Sequence, residues 1–150
     1  MKLKKLKFAI RCYMVKQPVS EKPFISPEIV FEEMKDIGFA DQEQVWGLFL
    51  NSQNLLTDKI LISLGTLDMS MTPIRVIAKR ALLSDAAGVI LVHNHPSGEV
   101  KPSEADIQST KIIKQALNLL EIKLVDHLII GKNKYYSLID YCDDTNIIHH

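Results

Sequence analysis

A chain of 150 residues that is 47% hydrophobic and 24% charged has the size and polarity of one folded domain, not of a disordered polar chain or a fibrous repeat. Lys plus Arg and Asp plus Glu each number 18, and this zero net charge argues against a dedicated nucleic-acid binder that works by neutralising phosphates. Weak nucleic-acid contact is left to a local basic patch such as Lys2, Lys4, Lys5 and Lys7. The 2 cysteines, Cys12 and Cys142, are far apart, which excludes a disulfide scaffold and a C-x-x-C motif. Apolar runs such as residues 86–92 fall well short of the ~18 residues that span a bilayer, so no membrane partner is expected. The lysine-rich start lacks a cleavage site, and the chain is expected to be cytoplasmic with reduced thiols.

In chain order, Leu6, Phe8, Ile10, Cys12 and Met14 alternate with Lys7, Ala9, Arg11 and Tyr13, the period of a strand with one apolar face. Pro18 and Pro23 then mark a loop, so residues 1–24 form an N-terminal strand and proline-containing loop ahead of a domain over 25–140. Ser26-Pro27 supplies an N-cap and a first-turn proline for a helix to about Ile37, ended by Gly38. Strands over 44–51 and 55–63 flank the polar turn Ser52-Gln53-Asn54, and Gly65-Thr66 breaks the second. Ile74, Val76, Ile77, Ala81 and Leu82 predict a helix over 72–83 with Pro73 in its first turn.

Residues 86–92 are apolar on both parities, as in a central strand covered on both faces, and the run stops at His93. Ile107, Ile112, Ile113, Ala116, Leu117 and Leu120 mark the apolar stripe of a long helix over 103–120, with Glu104 and Asp106 complementing its N-terminal dipole. A buried strand over 122–130, a short strand over 134–138 and a tail over 141–150 complete the chain. This order predicts a single α/β domain, a mixed β-sheet flanked by helices.

The strand at 86–92 runs directly into His93-Asn94-His95-Pro96-Ser97-Gly98. Two histidines at i and i+2 can face one metal where Pro96 and Gly98 turn the chain, and Asp106 in the next helix can supply a third ligand. Two imidazoles and a carboxylate make the open three-ligand zinc site of hydrolases, with water in the fourth position. The blander reading is a pair of loop histidines and a helix-dipole acid. Their grouping at a strand end, where α/β folds place functional groups, favours the metal.

H-N-H-P-S-G followed by P-S-x-x-D resembles the RadC branch of the JAMM (JAB/MPN) metalloprotease superfamily, whose pattern is H-x-H, ten residues, then Asp, with Ser three before it. Here the ten residues from Pro96 to Ala105 separate His95 from Asp106, and Ser103 stands three before the Asp. The segment from Glu43 through Leu48-Phe49-Leu50-Asn51-Ser52-Gln53-Asn54 is similar to that branch's acid, strand and "LFLDSQN". Val125-Asp126-His127-Leu128-Ile129-Ile130-Gly131 is similar to its "LDHLIIG", so the resemblance runs roughly from Ile25 to Leu138.

The resemblance implies a JAB/MPN-like fold of cytidine-deaminase-like architecture, with Zn2+ held by His93, His95 and Asp106. It also implies Glu43 as the general acid/base that activates water and Ser103 as a donor to the oxyanion. The chemistry suits these roles, because a carboxylate off the metal can relay a proton to a leaving amine and a hydroxyl can meet charge on a carbonyl oxygen. Ser103 has a rival role as N-cap of the long helix. His127, inside a predicted buried strand, is either a hydrogen-bonded core residue or a group behind the ligands.

The function expected from the resemblance is zinc-dependent hydrolysis of peptide, isopeptide or other amide bonds in a protein or peptide substrate. The branch's historical association with DNA repair supplies an alternative, a nucleic-acid-associated protein using the metal for phosphodiester chemistry or for structure. Full-length members often carry a helix-hairpin-helix module, for which the residues ahead of Ile25 are too few, so the DNA role ranks second. A non-catalytic interaction domain ranks below both, because His93, His95, Asp106 and Glu43 are all present. Cytidine-deaminase chemistry is excluded for want of the cysteine ligands.

Overall fold

The structure, a computed structural model, describes residues 19–65 and 74–139. The strand expected over 6–15, the start of the helix expected over 72–83 and the tail over 141–150 lie outside the described residues, as do both cysteines and the four N-terminal lysines. Helix α1 (Pro27–Met34) runs into a 3-10 turn (Lys35–Phe39) and is followed by β1 (Gln44–Leu50), β2 (Leu56–Leu64) and α2 (Ile74–Leu83). Then come β3 (Gly88–Asn94), α3 (Glu104–Asn118), β4 (Lys123–Gly131) and β5 (Lys134–Ser137). No helix among the described residues is long and apolar enough to cross a membrane.

The strands form one mixed sheet in the order β2-β1-β3-β4-β5. β1 is antiparallel to β2 and β3, β5 is antiparallel to β4, and β3 and β4 are parallel. A parallel pair needs a crossover connection, and α3 is that connection. The architecture is the α/β single domain with a mixed sheet that the element order implies.

Both faces of the sheet are covered. Leu48, Leu50, Ile90, Val92, Leu128 and Ile130 pack beneath Val30 and Met34 of α1. Phe49, Val89, Leu91 and Leu124 pack against Ile77 and Ala81 of α2 and Ile113 and Leu117 of α3. Every residue of β3 is buried, which explains its apolar run on both parities.

Four departures from the sequence reading matter to the site. The helix expected to end at Gly38 tightens after Met34 into the 3-10 turn, and Gly38 lies inside that turn. The strand expected to stop at His93 continues through Asn94, because Asn94 still pairs with Ile130 of β4. In α3 the buried face is Asp106, Ser109, Thr110, Ile113 and Leu117, while Ile112 and Leu120 of the expected stripe are exposed. Polar site residues occupy the first half of the inward face, so the apolar stripe cannot follow it. In α2 only Ile77 and Ala81 are buried, and Val76 and Leu82 face out.

β4 also contains an irregularity that the alternating pattern does not announce. Val89 pairs with Leu124 but Ile90 pairs with Asp126, so Val125 is an extra residue and the side-chain parity of β4 flips there. Leu124 faces α3, Val125 packs on the α1 side with Leu128 and Ile130, and His127 is returned to the α3 face beside His93.

Three glycines bring backbone against backbone at the end of β4. A side chain at Gly38 would meet the Gly131 carbonyl, and one at Gly131 would meet the Gly98 carbonyl. Backbone cannot move aside as a flexible side chain can, so Gly38→Ala is expected to destabilise the fold by about 1–3 kcal/mol. A urea titration measures this, and an unchanged midpoint would show that the 3-10 turn yields without cost.

Candidate metal centre

The parity of β3 puts Val89 and Leu91 against α3, and His93 continues that face at the strand's end, with no exposed surface. Its ring lies between β4 and the first turns of α3. His95 follows one residue beyond the strand, where Gly98 N–H donates to the His95 carbonyl and Gly98 takes φ +80°, closing a turn. His95 Nδ1 lies 2.9 Å from the Glu99 carbonyl oxygen. A carbonyl only accepts, so Nδ1 carries a proton, and in the neutral ring the Nε2 lone pair faces His93.

Asp106 is delivered by the cap of α3. Ser103 is the N-cap and forms a capping box in which the Asp106 N–H donates to Ser103 Oγ and the Ser103 N–H donates to Asp106 Oδ2. Ser103 Oγ also lies 2.6 Å from Asp106 Oδ2 and donates its only proton there. The cap therefore locks the carboxylate toward the imidazoles.

His93 Nε2 stands 3.0 Å from His95 Nε2 and 3.3 Å from Asp106 Oδ1, and His95 Nε2 stands 3.5 Å from Asp106 Oδ2. Ligands at about 2.0–2.1 Å from a tetrahedral zinc ion are about 3.3–3.4 Å from one another. The observed separations bracket that value, so the donor set fits such an ion. Glu43, just before β1, also joins this group: Glu43, His93 and His95 each offer an atom within 4.8 Å of the others. Two carboxylates thus flank one imidazole pair, and the cluster can hold a metal ion.

Electrostatics follow from this crowding. Burial alone would raise the Asp106 carboxyl, but the adjoining His93 and His95 imidazoles and the Ser103 hydroxyl outweigh it and hold the group far below the usual carboxylate range. The hydrogen bond with Asp106 raises the His95 imidazole against the opposing effect of burial. Complete burial drives the His127 imidazole well below its ordinary value, and the neighbouring His93 adds to this.

Three further residues belong to the site. Asn94, between the two histidines, turns its side chain the other way: its Oδ1 accepts the Gln44 N–H at 2.7 Å and its Nδ2 donates to the Gln42 carbonyl at 3.2 Å. Asn94 thereby clamps both neighbours of Glu43 to the end of β3. Thr110, one turn after Asp106 on the inward face of α3, lies 2.6 Å from His127 Nδ1, and His127 Nε2 lies 2.8 Å from His93 Nδ1. The i, i+4 spacing of Asp106 and Thr110 was the available signal for the threonine. Asn94 carried none beyond being polar at a strand end. A cavity of about 740 Å³ between α1 and β2 is lined by Phe24, Ile29, Leu56 and Lys59 and holds none of these groups.

Comparison with known proteins agrees with the architecture. A family model described as RadC-like JAB domain matches residues 24–143. A UPF0758 protein of Flavobacterium johnsoniae is 39% identical over 140 residues, covering 93% of this chain and 54% of the relative. A UPF0758 protein of Chlorobaculum tepidum is 45% identical over 113 residues, covering 75% of this chain and 51% of the relative. One from Streptococcus agalactiae is 35% identical over 138 residues, covering 92% and 61%. The chain thus spans about half the length of the curated relatives it matches.

The raised His95 value gives a pH test of the cluster. A histidine whose folded value lies above its ordinary 6.5 stabilises the metal-free protein fully below that pH, and the contribution is lost as pH rises through the folded value. A metal needs the deprotonated Nε2, so it gains where the proton is lost. The increase in melting temperature on adding zinc is therefore expected to grow from about pH 6 to about pH 8. A shift that stays constant over that window would remove His95 from the ligand set.

Proposed function

The chain belongs to the RadC-like JAB domain family, and from that premise we propose that it is a zinc-dependent hydrolase of amide bonds, peptide or isopeptide, in a protein or peptide substrate. The observation that carries this reading is the convergence of His93 Nε2, His95 Nε2 and the Asp106 carboxylate within 3.5 Å, with a separate carboxylate, Glu43, at the same imidazoles. His93, His95 and Asp106 hold the ion, and two imidazole nitrogens with one carboxylate suit zinc. When bound, zinc supplies a Lewis acid that polarises a carbonyl oxygen and brings the pKa of water to about 7.

The two carboxylates take different parts because their surroundings differ. Asp106 is buried, and its Oδ2 already accepts from the Ser103 N–H and O–H, so it is held as an anion. Glu43 is partly exposed, next to a backbone that Asn94 fixes, and can exchange a proton with solvent. It takes the proton from the attacking water and returns it to the leaving nitrogen. Ser103 has one proton, directed at Asp106 Oδ2; it can serve a substrate oxyanion only by turning that proton away from Asp106.

Zinc content and hydrolysis of a peptide and isopeptide panel separate these roles. Glu43→Gln is expected to keep zinc and lose about 10²–10⁴-fold in hydrolysis, because the amide cannot carry the proton. Asp106→Asn is expected to lose zinc. The reverse pattern, with zinc lost from Glu43→Gln and kept by Asp106→Asn, would make Glu43 the ligand and overturn the assignment.

Asn94→Ala leaves every proposed ligand in place but frees the segment on either side of Glu43. It is expected to keep zinc while hydrolysis falls by up to about 10²-fold, the cost of a small misplacement of a reacting group. Undiminished turnover in the folded variant would show that Glu43 is fixed by other contacts.

A further inference from the structure

The His127 and Thr110 side chains satisfy one another, yet neither reaches the imidazole and carboxylate atoms that face the ion. Their order of donors and acceptors is nevertheless fixed at one end. Thr110 Oγ1 lies 2.6 Å from the Asp106 backbone carbonyl and 2.6 Å from His127 Nδ1. The carbonyl can only accept, so the single hydroxyl proton points to it, and Oγ1 offers a lone pair to His127. His127 Nδ1 must then carry a proton. A neutral His127, the form favoured by its burial, has a bare Nε2, and the atom within reach of that lone pair is His93 Nδ1 at 2.8 Å. His93 accordingly donates from Nδ1, which leaves its Nε2 lone pair bare on the side of His95 and Asp106.

We propose that Thr110 and His127 are positioning residues that hold a proton on His93 Nδ1, so that the neutral ring turns its Nε2 lone pair to a metal. This rests on the reading of His93 as a ligand. The relay is a closed circuit: Asp106 meets His93 directly through its carboxylate, and again through its backbone carbonyl by way of Thr110 and His127. It joins β3, α3 and β4, and it exists because the extra residue at Val125 turns His127 to this face. His95 reaches the same state by a simpler route, donating from Nδ1 to the Glu99 carbonyl. In their neutral forms both imidazoles therefore turn a bare Nε2 to one point.

Thr110→Val removes the hydroxyl while keeping the shape. His127 Nδ1–H then loses its acceptor, the proton is better placed on Nε2, and His93 is pushed toward the tautomer with its proton on the metal-facing nitrogen. Zinc affinity, measured by competition with a chromophoric chelator, is expected to fall about 10–100-fold in Thr110→Val and to stay near the parent value in Thr110→Ser. In the metal-free protein, 15N shifts of the His93 ring are expected to report Nδ1–H in the parent chain and in Thr110→Ser. A parent His93 protonated on Nε2 would overturn the proposal, as would unchanged zinc affinity in folded Thr110→Val. The tautomer is read without metal and without a variant, so it decides the relay even if Thr110→Val does not fold. It decides it equally if the chain binds no zinc, a result that would sink the ligand reading separately.

Discussion

A histidine with no solvent exposure stands in the central strand of this sheet, and both of its ring nitrogens must find partners inside the protein. An unmet buried donor or acceptor costs about 1–3 kcal/mol, comparable with a large part of the margin by which a domain is stable. Much of the surrounding structure answers that constraint. The β-bulge in β4 turns His127 toward His93, the first half of α3 gives up apolar burial to present Asp106 and Thr110, and the Ser103 cap fixes the angle of that helix's first turn. Nδ1 is met by the protein, and Nε2 is met by whatever His95 and Asp106 share with it.

The division of labour between the two carboxylates has the same physical origin. Asp106 is nearly inaccessible and sits among donors that stabilise its charge, so it is a poor proton carrier and a good fixed anion. Glu43 belongs to a segment tied down by backbone bonds, Gly65 N–H to its own carbonyl and Asn94 on either side, with its side chain partly open. One type of functional group thus meets two environments, which is how a single site can keep a permanent charge and a mobile proton apart.

The grouping of His93, His95 and Asp106 was legible in the sequence because H-x-H at a strand end and a capped acid at a helix start are local patterns with a fixed spacing. The α/β architecture was legible for a similar reason, since the apolar run at 86–92 and the amphipathic helix after it carry strong signals. What escaped was whatever depends on the opposite wall. The stripe of α3 was misplaced because Asp106, Ser109 and Thr110 are polar yet inward, and their reason for facing in is a strand far away in sequence. The bulge at Val125 escaped because an apolar pair, Leu124-Val125, is followed by a polar pair, Asp126-His127, so a flip in parity leaves no mark in the alternation. Asn94 gave no sign of holding residues fifty positions earlier.

The contact of Gly38, Gly131 and Gly98 at the end of β4 has a mechanical meaning. The turn that leads to Glu43 and the loop that follows His95 rest on opposite sides of one glycine peptide, main chain on main chain, with no side chain between them to act as a bearing. Neither segment can swing without pressing on or leaving that same strand end. The Glu43 side and the His95 side of the cluster are therefore held at one spacing by main chain alone.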